Sequence, residues 1–350
     1  MRLTVTTPWS TPEQTPFGDV IRTKARSFAF ASRFLIPERR RATEVLYAFF
    51  RTVDDLVDEP PPGTDPALIR HELRRWERHI QSPASSPLAD DPLARALTET
   101  VERYAIPPAY FLSLLRGLED DLDGRAIATE DDLERYAFRV AATVGLAMCH
   151  VLEATSRRAL AAATALGIAM QLTNIIRDVS ADLAGGRCYF SWEQIERFPG
   201  ARAALDARRM NEPLRALLRE QIGAARSYYR AGLSGLAELP PDARFPIAVA
   251  ADLYSRILDV VERRDCDVFA GRAALGRHSK VLATARLALA MRARSALGRG
   301  IESAHDPAYD PAQALGPAAR AELAAAGAPP VSTRLLQHPT AAIGRSAAVN

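Results

Sequence analysis

Side chains with oxygen ligands recur in two short runs of this sequence, and each run lies inside an apolar stretch of helical length. The two runs contain Asp54, Asp55 and Asp58, and Asn174, Asp178 and Asp182. Residues four apart on an α-helix lie about 40° apart around its axis. Asp54 and Asp58 therefore share one helix face, and so do the three residues of the second run. Each run directs several oxygen atoms to one place.

Carboxylates this close together need a positive partner, because a buried, unpaired carboxylate is strongly destabilising. Oxygen donors with no Cys or His nearby suit a hard cation, and Mg²⁺ typically binds one or two carboxylates and completes its shell with water and substrate phosphate. Arg51 and Arg177 stand beside the two runs. Permanent positive charges at such a site favour a polyanionic ligand, most simply a diphosphate. The alternative is two solvated helix faces with ordinary ion pairs.

The elements that must position these runs are predicted to be helices. Ala, Leu, Arg and Glu are abundant, alternation with period two is scarce, and Pro- and Gly-containing breaks separate segments of helical length. The predicted breaks are 59–66, 81–92, 106–108, 184–187 and 239–242. Thr129 and Asp132 form a predicted capping box for a helix that continues through Tyr136 to Gly145. We therefore predict an all-α fold, a single helical bundle around a central apolar cavity.

The helical patterns show no linker, so one domain is predicted over residues 18–300, after a flexible segment at 1–17. The tail 301–350 is rich in Ala, Pro and Gly with weak periodicity, and it is predicted to be disordered. The apolar stretch Ala159–Ile176 approaches membrane-spanning length but contains Gln171 and Asn174. We interpret it as the wall of an internal cavity.

Charge and cysteine usage exclude some classes of protein. The formal net charge is +3 and no basic block stands out, so nucleic-acid binding is not expected. Cys149, Cys188 and Cys266 are odd in number and lack the spacing of a metal site, which favours a reduced compartment over a disulfide framework. Residues 1–14 lack the apolar core of a signal peptide, so a cytoplasmic location is expected.

Five segments resemble the squalene and phytoene synthase family, the head-to-head prenyl transferases. In chain order they are similar to an opening flap, a first aspartate motif, a central helix, a second aspartate motif and closing helices. The segments are Ser27–Pro37, Tyr47–Asp58, Tyr136–Gly145, Gln171–Asp182 with the following Gly186–Tyr189, and Tyr254–Leu258 continued through Arg272 to Lys280. The resemblance implies an isoprenoid-synthase-type bundle. It departs at Ala142, where glycine is usual, and the extra methyl group is expected to narrow the cavity slightly.

The resemblance also implies roles for individual residues. The metal ligands would be Asp54, Asp55, Asp58, Asn174, Asp178 and Asp182, which would act by holding metal rather than by moving protons. The diphosphate contacts would be Arg51, Arg177, Arg272 and Lys280. The rings that stabilise carbocations, at about 0.5 to 2 kcal/mol each, would be Phe28, Phe50, Tyr136 and Tyr254, although core packing explains any one of them equally well. Further substrate-binding positions would be Ser27, Tyr47 and Gln171.

A third acidic cluster consists of Asp120, Asp121 and Asp123. We interpret it as a solvated helix end, although Asp121 matches an acidic position of the family pattern.

The implied reaction joins two prenyl diphosphates. Mg²⁺, with Mn²⁺ as the alternative, would stabilise the diphosphate leaving group. The allylic cation would be attacked by the second substrate, giving a cyclopropylcarbinyl diphosphate that rearranges to a 1′-1 linked product. Geranylgeranyl diphosphate and phytoene, in carotenoid biosynthesis, are favoured. Farnesyl diphosphate giving squalene, dehydrosqualene or hydroxysqualene is the alternative. NADPH is not expected, because no glycine-rich dinucleotide motif follows a strand.

Two other classes of protein stay open. A class I terpene cyclase would also pair acidic motifs across a helical cavity, but Tyr136–Gly145 and Tyr254–Lys280 resemble head-to-head synthases. A non-catalytic assembly protein of the same fold would be expected to lose the aspartates, which are intact here. Peripheral contact with the inner membrane face is a hypothesis drawn from the lipid product, and the residues do not indicate an oligomeric state.

Overall fold

The computed structural model of the protein describes Ser32, residues 35–296 and residues 309–327. Its α-helices are α1 Pro37–Asp58, α2 Pro66–Gln81, α3 Pro92–Tyr104, α4 Pro108–Leu122, α5 Glu130–Ala137, α6 Thr143–Val151, α7 Arg157–Ala184, α8 Trp192–Arg197, α9 Ala201–Ala207, α10 Glu212–Leu233, α11 Pro241–Arg263, α12 Arg277–Ala296 and α13 Pro317–Ala325. No β-strand occurs in the described part of the chain, and the all-α prediction is confirmed.

The helices begin where the sequence signals place them. Proline occupies the first turn of α2, α3 and α10, where its missing N–H group leaves no helical hydrogen bond unmade. Asp65, Asp91 and Asn211 cap these three helices with a side-chain oxygen. Thr129 and Asp132 form the predicted capping box at the start of α5. The predicted breaks all coincide with helix boundaries.

Helix α7 is the centre of the bundle and packs against α6, α10 and α11. By length and composition it is the one helix in the described ranges that could cross a membrane. However, 72% of its apolar window is buried inside the protein, as expected for a core helix.

A π-helical turn, Phe138–Ala142, interrupts the helix that was predicted from Thr129 to Gly145. Glycines on two neighbouring helices let this turn approach closely. A Cβ atom on Gly117 of α4 would lie 2.8 Å from Cβ of Arg139, and one on Gly167 of α7 would lie 2.5 Å from Cα of Ala142. Ala142 is fully buried in this contact. The expectation that it narrows the cavity is wrong, because the neighbouring Ala141 lines the cavity instead.

The predicted disorder of the tail is wrong for residues 309–327. This segment forms a 3₁₀ turn, Pro311–Ala314, followed by α13, and both contain buried side chains. Leu315, Ala319 and Leu323 recur every fourth residue and are buried against the core. Ala319 and Leu323 share one face of α13 and Leu315 precedes the helix, and together these side chains hold the segment against the core. The predicted domain boundaries lie in or next to residues outside the described ranges and stay predictions.

Candidate active site

The structure brings the two acidic runs together where α1 and α7 end. Arg187 follows α7 and donates from Nη1 to Oδ1 of Asp58 at 2.6 Å, and from Nη2 to the backbone oxygen of Val57 at 3.3 Å. Burial, followed by the negative charges of Asp178 and Asp58, raises the pKa of Asp182 to about 7. The charges of Asp58 and Asp182 therefore interact, and Arg187 lies beside both carboxylates.

Asp54 lies one turn before Asp58 and is held by Arg51. Nη1 of Arg51 donates to Oδ2 of Asp54 at 2.9 Å, and the same guanidinium pairs with Asp55 and Glu59. Burial and the charge of Asp58 nevertheless raise the pKa of Asp54 to about 7. The pKa of Asp54 is high although an arginine lies beside it, so the effects of burial and of the neighbouring acids outweigh that of the arginine. Additional positive charge would stabilise its ionised form.

Asp178 is held by two arginines. Nε of Arg177 donates to Oδ1 at 3.0 Å, and Arg272 donates from Nε to Oδ1 at 2.7 Å and from Nη2 to Oδ2 at 3.0 Å. Burial raises the pKa of Asp178, but the hydrogen bonds and charges of both arginines outweigh burial, and the pKa is lowered. The Arg272 side chain is 67% exposed, so it is accessible to a ligand that enters from solvent.

Asn174 lies one turn before Asp178. Its Nδ2 atom donates to Oε1 of Gln171 at 3.2 Å. Its Oδ1 atom is buried and has no hydrogen-bond partner. A buried acceptor without a partner costs about 1 to 3 kcal/mol, and a bound cation would satisfy it.

Asp121 lies among the residues of the two runs, although the sequence analysis interpreted it as part of a solvated helix end. The hydroxyls of Tyr136 and Tyr189 donate to its two carboxylate oxygens at 2.9 and 3.1 Å. The two tyrosine rings stack with their centroids 4.9 Å apart. Burial raises the pKa of Asp121 to about 6, and its charge contributes to the raised pKa values of Asp54 and Asp182. The solvated-end interpretation is therefore wrong for Asp121.

Sequence reasoning missed three residues of this site, Asp121, Arg187 and Tyr189. Each carried a signal: Asp121 matched an acidic position of the family pattern, and the other two belong to the segment that follows the second aspartate motif. Asp123 does lie at an exposed helix end, where it pairs with Arg70.

Tyr47 and Tyr254 lie beside the arginines of the site. Burial raises the pKa of Tyr47 to about 12, while Arg51 lowers it and Tyr254 raises it. Tyr254 of α11 lies beside Arg177 and interacts with it electrostatically. Both predicted substrate-binding tyrosines therefore adjoin the charged cluster.

Of the remaining predicted residues, one packs in the core, one lies on α12 and two fall outside the described ranges. Phe50 packs in an aromatic core, with its ring centroid 5.5 Å from that of Phe49 and 6.0 Å from that of Phe111. Lys280 is half-buried and lies on α12, the helix that follows Arg272 in the chain. Ser27 and Phe28 lie outside the described residues.

An apolar cavity of about 110 Å³ adjoins α7 and ends one turn before Asn174. Its walls include Met148, Leu152, Leu166, Met170, Leu239 and Ile247. Residues between 159 and 170 of the predicted wall line the cavity, together with residues between 141 and 152. The end of α10 and part of α11 complete the cavity.

A divalent cation fits this cluster only together with a bound anion. No three or more His, Cys, Asp and Glu side chains in the described ranges lie close enough to hold a metal ion by themselves. The donors are nonetheless oxygens, the acids outnumber the arginines, and Oδ1 of Asn174 lacks a partner. Mg²⁺ binds in this way, with one or two carboxylates and the oxygens of a bound phosphate.

The fold and site together define a class of protein. An all-α bundle with an apolar cavity next to a cluster of acids and arginines suits a ligand with an anionic head and a long hydrocarbon tail. The sequence profile of the squalene/phytoene synthase family matches residues 21–279. The chain belongs to this family, and the resemblance found in its motifs is confirmed.

Phytoene synthases are among the relatives of known function. Phytoene synthase 3, chloroplastic, from Zea mays is 34% identical over 273 residues, which cover 76% of this chain and 63% of that protein. Phytoene synthase from Arthrospira platensis is also 34% identical over 273 residues, covering 74% of this chain and 86% of that protein. The chain thus spans just under two thirds of the maize relative.

Solved structures of the same family share the fold. A crystal structure of a dehydrosqualene synthase in complex with ligand matches with a TM-score of 0.70 at 28% identity, over 79% of this chain and 95% of that chain. Squalene synthase HpnC from Alicyclobacillus acidocaldarius matches with a TM-score of 0.61 at 25% identity, over 71% of this chain and 92% of that chain.

Proposed function

We propose that this protein is a prenyltransferase that condenses two molecules of geranylgeranyl diphosphate head to head, through a cyclopropylcarbinyl diphosphate, to phytoene. The observation that carries this proposal is the position of the acid and arginine cluster beside the end of the apolar cavity, with both built on α7. The phytoene synthases among its relatives support the choice of substrate and product.

One ligand can contact both parts of this site at once. Met170 lines the cavity and Asn174 belongs to the charged cluster. Four residues along a helix span about 6 Å, so the first carbon atoms of a prenyl chain can enter the cavity while its diphosphate stays at the cluster. A purely polar ligand would leave the cavity unused.

The diphosphate head would bind Arg51, Arg177 and Arg272, with Lys280 as a further contact. Because the acids of the cluster outnumber its arginines, an anionic head needs added cations to bind there. When bound through Asp54, Asp58, Asn174, Asp178 and Asp182, Mg²⁺ or Mn²⁺ would neutralise the diphosphate and make it a better leaving group. Asp55 is a weaker candidate ligand, because it lies one residue off the helix face that Asp54 and Asp58 share.

The chain itself would control the carbocation after ionisation. The apolar walls around Met148 and Met170 exclude water, which would otherwise quench the cation. The ring faces of Tyr136 and Tyr254 offer electrostatic stabilisation of about 0.5 to 2 kcal/mol each. Loss of a proton then gives phytoene without a reductant, so NADPH is not required.

A second candidate uses the same chemistry on farnesyl diphosphate. The fold match to a dehydrosqualene synthase and a squalene synthase favours this alternative. Its products would be squalene, dehydrosqualene or hydroxysqualene, according to how the last cation is quenched.

Product analysis separates the two candidates. We expect the purified protein, incubated with Mg²⁺ and geranylgeranyl diphosphate, to yield phytoene by mass spectrometry, equally with and without NADPH. Farnesyl diphosphate should be converted more slowly. Faster conversion of farnesyl diphosphate would establish the second candidate, and cyclic terpenes formed from a single substrate molecule would contradict both.

Metal binding can be tested without turnover. Mg²⁺ and methylenediphosphonate together should raise the melting temperature more than either alone, by roughly 4 °C at hundredfold ligand excess over Kd. The rise should be larger at pH 8 than at pH 6, because Asp54 and Asp182, with pKa values of about 7, lose protons in this window and only the ionised form binds metal. A rise independent of pH would argue against these carboxylates as ligands, and a non-catalytic scaffold would show no rise.

A further inference from the structure

We propose that residues 309–327, here named the C-terminal brace, position Asp121 and the π-helical wall of the cavity through Glu322 and Arg139. This inference rests on the proposed function and deepens it. The brace lies beyond residues 21–279, the part of the chain that the family profile matches.

The brace is anchored by a buried acid. Glu134 on α5 is only 8% exposed. Its carboxylate accepts hydrogen bonds from the backbone N–H groups of Gly316 at 2.6 Å and Ala319 at 3.1 Å, and from the hydroxyl of Tyr228 at 2.6 Å. Glu134 thereby satisfies N–H groups at the start of α13 that have no partner within the helix.

The anchor requires glycine at position 316. A Cβ atom there would lie 2.4 Å from Oε2 of Glu134, inside any allowed contact distance. Any larger residue must displace the carboxylate that holds α13. Gly316→Ala therefore changes the docking of the brace without touching the acid and arginine cluster.

A second acid, Glu322 of the brace, connects the brace to the site. Nε and Nη2 of Arg139 donate to Oε1 of Glu322 at 3.0 and 2.7 Å, and Nη1 donates to Oδ2 of Asp120 at 2.8 Å. The side chains of Arg139 and Glu322 are each 17% exposed, so this ion pair is shielded from solvent far more than a surface pair. Asp120 directly precedes Asp121. The guanidinium thus links the brace to the last turn of α4, which carries Asp121.

The same arginine belongs to the cavity wall. Arg139 lies in the π-helical turn, two residues before Ala141, which lines the cavity. Tyr136, the partner of Asp121, lies three residues before Arg139 on the same continuous helix. Movement of Arg139 would therefore shift the cavity wall and the contact between Tyr136 and Asp121 together. Glu322 and Arg139 are positioning residues, since neither contacts the cluster directly.

Full-chain variants test this proposal. Glu322→Gln keeps the shape of the side chain and removes the charge that holds Arg139, and we expect kcat to fall about tenfold, equivalent to about 1.4 kcal/mol, with KM changed less than about twofold. Asp120→Asn should have a similar effect. If both act through Arg139, the double variant should be no slower than the slower single variant. Glu262→Gln, which breaks an ion pair with Arg226 between α10 and α11, is the control and should leave kcat unchanged.

The rate of hydrogen exchange at the α13 amides measures how firmly the brace is docked. The rise in melting temperature with Mg²⁺ and methylenediphosphonate measures ligand binding at the site without turnover. Gly316→Ala should accelerate exchange in α13, lower kcat and reduce the ligand-linked rise. Unchanged kcat and ligand-linked rise in a variant whose α13 exchanges freely would overturn the proposal, as would additive effects of Glu322→Gln and Asp120→Asn. If the unmodified protein converts neither substrate, the proposed function fails. The ligand-linked rise still decides whether the brace supports the site.

Discussion

Replacing Asp178 by asparagine should lower turnover by three orders of magnitude or more, since each tenfold loss corresponds to about 1.4 kcal/mol of lost transition-state stabilisation. Asparagine keeps the shape of the side chain but removes its charge. Arg177 and Arg272 then lose the carboxylate that they share, and a metal ion loses a ligand from the second acidic run. Asp54→Asn should have an equal effect through the first run.

The measurement is kcat with geranylgeranyl diphosphate and Mg²⁺, together with circular dichroism to verify the helical fold. Asp259→Asn is a matched control, because Asp259 also pairs with an arginine, Arg226, but on the outside of the bundle. It should keep full activity. Asp178→Asn with more than about a tenth of normal activity would show that the acids of the second run do not hold the metal ion that binds the reacting diphosphate.

The helix face on which each acidic run lies could be predicted because the signals that carry it are local. Spacing by four residues places Asp54 with Asp58 on one face, and it does the same for the second run. Prolines and capping residues such as Asp65 and Asp91 mark helix ends independently of the remaining fold. Long apolar segments next to the acids predict a cavity wall in the same way. Each inference needs only the residues within one helix.

Asp121 could not be assigned in this way because its role depends on residues distant in the sequence. Three aspartates near the end of a helix are typical of a solvated terminus. Asp121 becomes part of the site only because Tyr136 on α5 and Tyr189 after α7 bring their hydroxyls to its two oxygens. Neither tyrosine carries a local signal that would indicate this partner.

The fold of the C-terminal brace could not be predicted from the sequence for a different physical reason. Most apolar residues of the brace are alanines, beside Leu315 and Leu323, so its hydrophobic periodicity is weak. The interactions that fix it come from the body of the protein, where Glu134 caps α13 and Arg139 pairs with Glu322. A segment can thus look disordered by composition and still fold when a buried acid satisfies its first N–H groups.

Replacing Asp121 by asparagine should lower kcat about a hundredfold, which corresponds to about 2.7 kcal/mol. The carboxylate accepts a hydrogen bond on each oxygen, from Tyr136 and from Tyr189. Asparagine offers one acceptor oxygen and one donor group, so one tyrosine must rotate away or use its own oxygen as acceptor. The change also removes a negative charge close to Asp54 and Asp182, so the site as a whole attracts a cation less strongly.

Two further variants decide how Asp121 acts. Tyr136→Phe removes one of the two hydrogen bonds, so it should cost less than Asp121→Asn, and the double variant should be little worse than Asp121→Asn alone. Asp123→Asn is the control, because Asp123 lies two residues away but pairs with Arg70 in solvent. It should stay within about twofold of normal kcat, the scatter expected of a surface change of less than 0.5 kcal/mol. If Asp121→Asn and Asp123→Asn behave alike, Asp121 has no part in the reaction, and the stacked tyrosines serve packing alone.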